Sequence, residues 1–141
     1  MKYLLWVTVS GMTIALLSVT CDFSTIRQRV VRNVRHETLT LGPGATLDNH
    51  YSLHPKDTGY VWFWESSRRP VDFIVQDSAG YFSAPHNPSQ AVFAVLDIAS
   101  DTTEFAVTGD TALYFEFLNP DTMTRNIWFH LDRIYWEKAN P

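Results

Sequence analysis

Hydrophobic and polar residues alternate over most of the chain beyond its first quarter, and this alternation predicts strands. Leu113, Phe115 and Phe117 lie on one side of an extended chain, whereas the residues between them lie on the other. Clusters of Gly, Pro, Asn and Asp separate these segments, as turns between strands do. The pattern predicts eight strands: Glu37–Leu41, Thr46–Leu53, Tyr60–Glu65, Val71–Asp77, Ala91–Ala99, Thr103–Thr108, Ala112–Leu118 and Asn126–Trp136.

Half-apolar strands of this kind are typical of antiparallel sheets that pack one face on a core. Seven or eight of them predict an all-β fold, an antiparallel β-sandwich of jelly-roll type or a small barrel. We assign this domain to residues 37–141 and expect no helix of ten or more residues within it. The composition supports a substantial core, because 45% of the 141 residues are hydrophobic and 14% are aromatic.

An uncharged apolar segment precedes the predicted sandwich. Leu4–Val19 follows Lys2, and the pattern predicts a hydrophobic helix that serves as a signal peptide or membrane anchor over residues 1–21. Three fates remain open: cleavage by signal peptidase near residues 18–20, retention as a single membrane span, and lipidation of Cys21 as in bacterial lipoproteins. Cys21 is the only cysteine, so no intrachain disulfide is available to the domain.

Residues 22–36 are basic and are predicted to form a juxtamembrane linker. Their valine-rich stretch Ser24–Arg35 also fits a short amphipathic helix or the lead-in to a strand. Four arginines here against Lys2 on the other side of the apolar segment oppose export by the positive-inside rule. We still expect an extracytoplasmic domain, at the cell surface or in the periplasm, because a tryptophan-rich acidic β domain behind such a segment is typical of exported modules.

The charge of the predicted sandwich excludes one class of partner. Residues 37–141 carry six Lys and Arg residues against fourteen Asp and Glu residues. Nothing in so acidic a domain would neutralise phosphates, so we expect no nucleic-acid partner.

The aromatic run Tyr60-Val61-Trp62-Phe63-Trp64 is the most informative local feature. In a strand, Tyr60, Trp62 and Trp64 share one face, and the two residues between them share the other. Two interpretations follow: a central strand covered on both faces, or an exposed aromatic platform for a sugar, a lipid or a partner protein. Arg68 and Arg69 follow the strand and are candidates to orient an acidic ligand there.

Several segments resemble the Golgi-dynamics (GOLD) β-sandwich domain and its small prokaryotic relatives. They are residues 103–119 (TEFAVTGDTALYFEFLN), 127–131 (IWFHL), 41–45 (LGPGA), 60–64 (YVWFW) and 71–75 (VDFIV). The resemblance covers roughly residues 37–137 and implies an extracytoplasmic sandwich that binds protein or lipid without a catalytic residue set. The eukaryotic members are cargo receptors with a paired cysteine that has no counterpart here, so cargo transport is not carried over.

His50 and His54, with Asp48 and Asp57 nearby, are the sequence's candidates for metal ligands or for the groups of a small hydrolase. No Cys or Glu completes a known ligand spacing, so we expect surface histidines, no metal and no cofactor. No nucleophile elbow and no Gly-rich phosphate loop occurs, and we expect no enzyme activity.

These observations predict a membrane-anchored, extracytoplasmic and non-catalytic binding domain whose partner is a protein, a lipid or a glycan. Its expected contact surface is Tyr60, Trp62, Trp64, Arg68 and Arg69. A carbohydrate-binding module and a structural subunit of an envelope complex remain as alternatives.

Overall fold

The computed structural model describes residues 7–9, 12–14, 27–109 and 112–139. Two short strands near the N-terminus, β1 (Val7–Val9) and β2 (Met12–Ile14), pair with each other in antiparallel orientation. The remaining strands are β3 (Arg27–Leu41), β4 (Thr46–Ser52), β5 (Thr58–Glu65), β6 (Val71–Asp77), β7 (Phe93–Ile98), β8 (Ser100–Ala106), β9 (Ala112–Leu118) and β10 (Arg125–Lys138). A six-residue helix, α1 (Ser78–Ser83), and a 3-10 turn (Pro88–Gln90) lie between β6 and β7.

Strands β3 to β10 form two antiparallel sheets of four strands each. The first sheet has the order β3-β10-β5-β8 and the second has the order β4-β9-β6-β7. The chain pairs its first sandwich strand with its last, the second with the second to last, and so on inward, so that β3 pairs with β10, β4 with β9, β5 with β8 and β6 with β7. This nested pairing across two sheets is the jelly-roll topology. The predicted all-β sandwich is therefore confirmed.

The core lies between the two sheets, and phenylalanine is its most frequent residue, followed by leucine and valine. Alternate residues of each central strand supply it, as the sequence pattern predicts, and Phe73 of β6 stacks on Phe117 of β9 with ring centroids 4.6 Å apart. Such pairs add to the free energy gained by removing the rings from water. The fully buried phenylalanines are Phe63, Phe73, Phe115, Phe117 and Phe129.

Strand β3 starts ten residues before the predicted sandwich boundary. Residues 27–36, which were predicted to belong to a linker, form the first part of this strand and pair with the end of β10 from His130 to Lys138. Of the two interpretations of Ser24–Arg35, a helix or the lead-in to a strand, the strand is therefore the one that residues 27–35 adopt. Strand β3 begins this early because β10 continues to Lys138, and the backbone groups at the end of β10 form hydrogen bonds with residues 27–36. Arginines on the outer strand also suit a sheet edge, because charge discourages pairing with a further chain.

The N-terminal segment is only partly described. Its predicted hydrophobic helix lies outside the described residues, apart from positions 7–9 and 12–14, which are strands. Cys21 likewise lies outside them. Among the helices in the described ranges, none is long and apolar enough to cross a membrane.

Candidate functional site

The outer face of the first sheet carries the predicted aromatic residues. Val61 and Phe63 point into the core and are almost fully buried, so Tyr60, Trp62 and Trp64 of β5 lie on the opposite, outward side. Trp64 is 42% exposed, so this side of β5 is open to solvent there. Trp64 therefore does not fit the interpretation in which both faces of this strand are covered.

Neighbouring strands extend this surface beyond the residues that the sequence analysis selected. Trp128 of β10 lies directly opposite Trp64, and His130 lies directly opposite Trp62. His36 of β3 lies opposite His130 in turn. We call the six side chains together the aromatic face: His36, Tyr60, Trp62, Trp64, Trp128 and His130.

The rings of the aromatic face pack against one another across the strands. The Trp64 and Trp128 rings are nearly parallel, with an interplanar angle of 12° and centroids 6.0 Å apart. Trp62 and His130 stack in the same way at 5.2 Å, and His36 meets His130 edge-on at 5.2 Å. Cross-strand aromatic pairs of this kind hold the rings in place without covering them. Trp128 is 41% exposed, so the stacked rings remain accessible to solvent.

A shallow cavity adjoins Trp64 at the β8 side of the sheet. Its volume is about 380 Å³, and it is lined by Trp64, Glu65, Arg68, Ala99 and Ser100. Ser100 is the ladder neighbour of Trp64 on β8, so a small side chain stands where a third ring would continue the stack. The cavity therefore combines one indole with a guanidinium and a hydroxyl group, which suits a ligand that is apolar on one side and polar on the other.

Glu65 shapes the turn that presents Arg68. Its Oε2 accepts hydrogen bonds from the backbone N–H groups of Ser67 at 2.9 Å and Arg69 at 2.8 Å. Within this turn Arg68 has a φ of +54°, a left-handed conformation that few residues other than glycine adopt. Arg68 thus lines the cavity, whereas Arg69 is not among the residues that line it.

A hydrogen-bonded group borders the aromatic face. The Nε2 atom of His130 lies 2.9 Å from Oδ1 of Asp132, and Asn33 donates to the same oxygen at 3.1 Å. The other ring nitrogen, Nδ1, is buried and makes no hydrogen bond within the described ranges. These contacts fix the orientation of the imidazole that stacks on Trp62.

The histidines and acids selected as metal candidates do not come together as one group. Asp57 accepts a hydrogen bond from the backbone N–H of His54 at 2.9 Å and pairs with the guanidinium of Arg133. His50 instead packs against Tyr114, and the centroids of the two rings are 5.9 Å apart. Of these four candidates, Asp48 is the one that lies in a cluster of potential metal ligands, and the other members of that cluster are residues outside the four.

The other members of the cluster are His86 and Glu116, on the outer side of the second sheet. Glu116 lies between the core residues Phe115 and Phe117 and therefore points to the opposite side of β9, yet it is 0% exposed because the loop after α1 folds over it. Burial raises the pKa of the Glu116 carboxyl group, and its contact with His86 acts in the opposite direction.

The chain matches no protein-family model and no curated protein. The resemblance to GOLD domains therefore stays a prediction.

Proposed function

We propose that this chain is a non-catalytic binding domain that holds a carbohydrate on the aromatic face of its first sheet. The observation that carries the proposal is the stacked pair Trp64 and Trp128, whose rings remain about 40% exposed on two central strands. Large exposed apolar surfaces on a soluble domain mark interaction sites, because leaving them in water is unfavourable.

The cavity beside Trp64 supports a sugar as the ligand class. A pyranose ring has an apolar C–H side that packs on an indole and hydroxyl groups that need polar partners. Arg68 and Ser100 supply such partners next to the Trp64 ring. The volume of about 380 Å³ falls in the range of small-molecule sites, which is roughly 300–1,000 Å³.

Binding without catalysis is supported by the contacts of Glu65, the acid that lines the cavity. One of its carboxylate oxygens accepts hydrogen bonds from two backbone N–H groups of its own turn. A general acid or base has to reach a proton on a substrate, and this carboxylate oxygen is held by the turn instead.

Tryptophan fluorescence titrated with a panel of neutral and acidic oligosaccharides tests the proposal. We expect a saturable shift with at least one member, and we expect Trp64→Ala to weaken binding at least tenfold. Trp136→Ala is the matched control, because Trp136 is 60% exposed at the far end of β10, away from the cavity. Titrations that stay flat across the panel would count against a sugar ligand. A Trp64→Ala variant that no longer folds would show that the ring serves the core.

We further propose that the N-terminal segment displays the domain on the outer side of a membrane. The support is the apolar, uncharged stretch Leu4–Val19 followed by Cys21. Intact mass of the protein, measured in both the membrane fraction and the soluble fraction, separates the three fates of the segment. A chain that starts at Cys21 and carries acyl groups is a lipoprotein, an unmodified full-length mass is an uncut anchor, and a shorter soluble chain is a secreted protein.

A structural subunit of an envelope complex is the second candidate. It is favoured by Trp136 and Val31, which are exposed on the same outer side of the first sheet as the aromatic face. A partner that covered this side would protect its tryptophans from a soluble quencher such as acrylamide in the complex isolated from native membranes. Flat glycan titrations together with such protection would favour this candidate over carbohydrate binding.

A further inference from the structure

Three side chains that bind metals in proteins meet on the outer side of the second sheet. Asp48 of β4 and Glu116 of β9 lie directly opposite each other in the ladder. His86 reaches them from the loop that follows α1. One potential ligand atom from each residue lies within 4.8 Å of the other two. We call these three residues the acid–histidine cluster.

The fold holds His86 in position from its backbone. The side chain of Gln76 is fully buried, accepts a hydrogen bond from the His86 N–H at 3.1 Å and donates to the carbonyl groups of Ala84 and Asn87. His86 has a φ of +61°, which is unfavourable for a residue with a side chain. A residue held in such a conformation by several contacts is a frequent feature of functional sites.

The lone pairs of the cluster are only partly used. Oε2 of Glu116 accepts the His86 N–H at 2.8 Å and contacts the ring atom Nδ1. Oε1 of the same carboxylate is buried and makes no hydrogen bond in the described part of the chain. Buried polar atoms almost always have partners, because leaving one unpaired costs free energy. An unpaired carboxylate oxygen in a side chain that is 0% exposed indicates that this cluster binds a cation.

Asp48 completes the arrangement from the solvent side. The hydroxyl group of Tyr81 donates to Oδ2 of Asp48 at 2.9 Å, which leaves Oδ1 on the side of His86, 3.9 Å from Nδ1. Tyr81 itself is fixed by stacking on Tyr114 at 4.0 Å. A hydrogen bond from a second residue that orients a ligating carboxylate is common around metal ions in proteins.

We propose that Asp48, His86 and Glu116 bind a divalent transition-metal ion of the zinc type. One imidazole nitrogen and two carboxylate oxygens are donors that Zn²⁺ accepts, whereas Ca²⁺ and Mg²⁺ select oxygen ligands alone. Zinc bonds of about 2.0–2.2 Å set tetrahedral ligand atoms about 3.3 Å apart, so Asp48 needs to approach His86 by less than about 1 Å, and the contact between His86 Nδ1 and Glu116 Oε2 needs to lengthen to the same spacing. The two carboxylates balance the charge of the ion, and the exposure of Asp48 leaves a coordination position to water.

Metal binding here would tie the loop over 84–90 to the two strands beneath it. Because the metal binds the folded chain and links three separate segments, it raises the midpoint of thermal unfolding. We expect full-length protein that has been stripped with a chelator to bind one equivalent of Zn²⁺. We also expect its midpoint to rise by several degrees at saturation and to change little with Ca²⁺ or Mg²⁺.

Two variants and a matched control test the assignment. Glu116→Gln keeps the size of the side chain but removes its charge, and His86→Asn removes the imidazole and tolerates a positive φ. Both should weaken Zn²⁺ binding at least tenfold in calorimetric titration. His50→Gln removes an exposed histidine two residues from Asp48 and should leave the affinity unchanged.

Cobalt provides a readout that does not depend on the stability of the variants. Co²⁺ bound by one nitrogen and two oxygen ligands in an ordered site gives visible d–d absorption bands, which we expect in the wild-type chain and not in His86→Asn. The proposal is overturned if the wild-type chain shows no saturable Zn²⁺ binding. It is equally overturned if His86→Asn binds Zn²⁺ as tightly as His50→Gln does.

Discussion

Replacing Gln76 directly tests how the loop after α1 is held on the second sheet. Its side chain is 0% exposed and makes three hydrogen bonds to the loop after α1: to the carbonyl of Ala84 at 3.1 Å, to the carbonyl of Asn87 at 3.3 Å and from the N–H of His86 at 3.1 Å. Gln76→Leu keeps nearly the same volume and removes all three. We therefore expect the loop to lose its main anchor while the strands stay paired.

The size of the effect follows from the bonds that are lost and the apolar surface that is gained. Three hydrogen bonds at a net value of about 1 kcal/mol each amount to about 3 kcal/mol. The leucine side chain gains about 1 kcal/mol from additional apolar burial. We expect the free energy of unfolding to fall by about 2 kcal/mol, limited by the free energy that holds the loop on the sheet.

Urea unfolding and hydrogen exchange measure the two parts of this prediction. Unfolding gives the change in free energy, and exchange shows whether the His86 amide loses its protection while the core strands keep theirs. Gln28→Leu is the control, because the Gln28 side chain is exposed and its hydrogen bond goes to the exposed Glu137 side chain, so a change within about 0.5 kcal/mol is expected. If Gln76→Leu behaves like this control in both measurements, the loop is not held by Gln76.

Two further predictions concern the first sheet. Gly59→Ala would place a Cβ atom 2.3 Å from Cζ of the buried Phe105, so we expect a loss of about 2–3 kcal/mol in urea unfolding. Gly109→Ala meets no atom within 4 Å, and equal midpoints for the two variants would contradict the prediction. The hydrogen bond from Arg35 lowers the pKa of Glu37 below its ordinary value, so its stabilising effect is present above that ordinary value and is lost as the pH falls through the lowered one. The stability difference between the wild type and Glu37→Gln should therefore shrink on acidification, and a difference that is independent of pH in urea unfolding would refute this.

The strands of the sandwich were predictable where the signal is local. The predicted bounds of Val71–Asp77 and Ala112–Leu118 match β6 and β9, because each segment alternates clearly and ends at turn residues. The first part of β3 was not predictable in this way. Its arginines obscure the alternation, and its pairing depends on β10, about a hundred residues later in the chain.

The contents of the two candidate sites depend on contacts between distant segments. The shared face of Tyr60, Trp62 and Trp64 follows from the sequence alone, but the addition of Trp128 depends on the register between β5 and β10. Glu116 has the sequence position of a solvent-facing residue, and it is buried because the loop over 84–90 covers it. No local pattern indicates where that loop lies.

The two outer sides of the sandwich differ in a way that supports two separate binding roles. An indole that served stability alone would be more favourable beneath a covering loop, yet Trp64 and Trp128 lie open on the first sheet. A carboxylate that served stability alone would be more favourable in water, yet Glu116 is enclosed on the second sheet, and one of its oxygens has no partner among the described residues. Each arrangement is unfavourable without a partner and becomes favourable with one of the matching chemistry. The exposed rings fit an organic ligand that packs on them, and the enclosed carboxylate fits a cation.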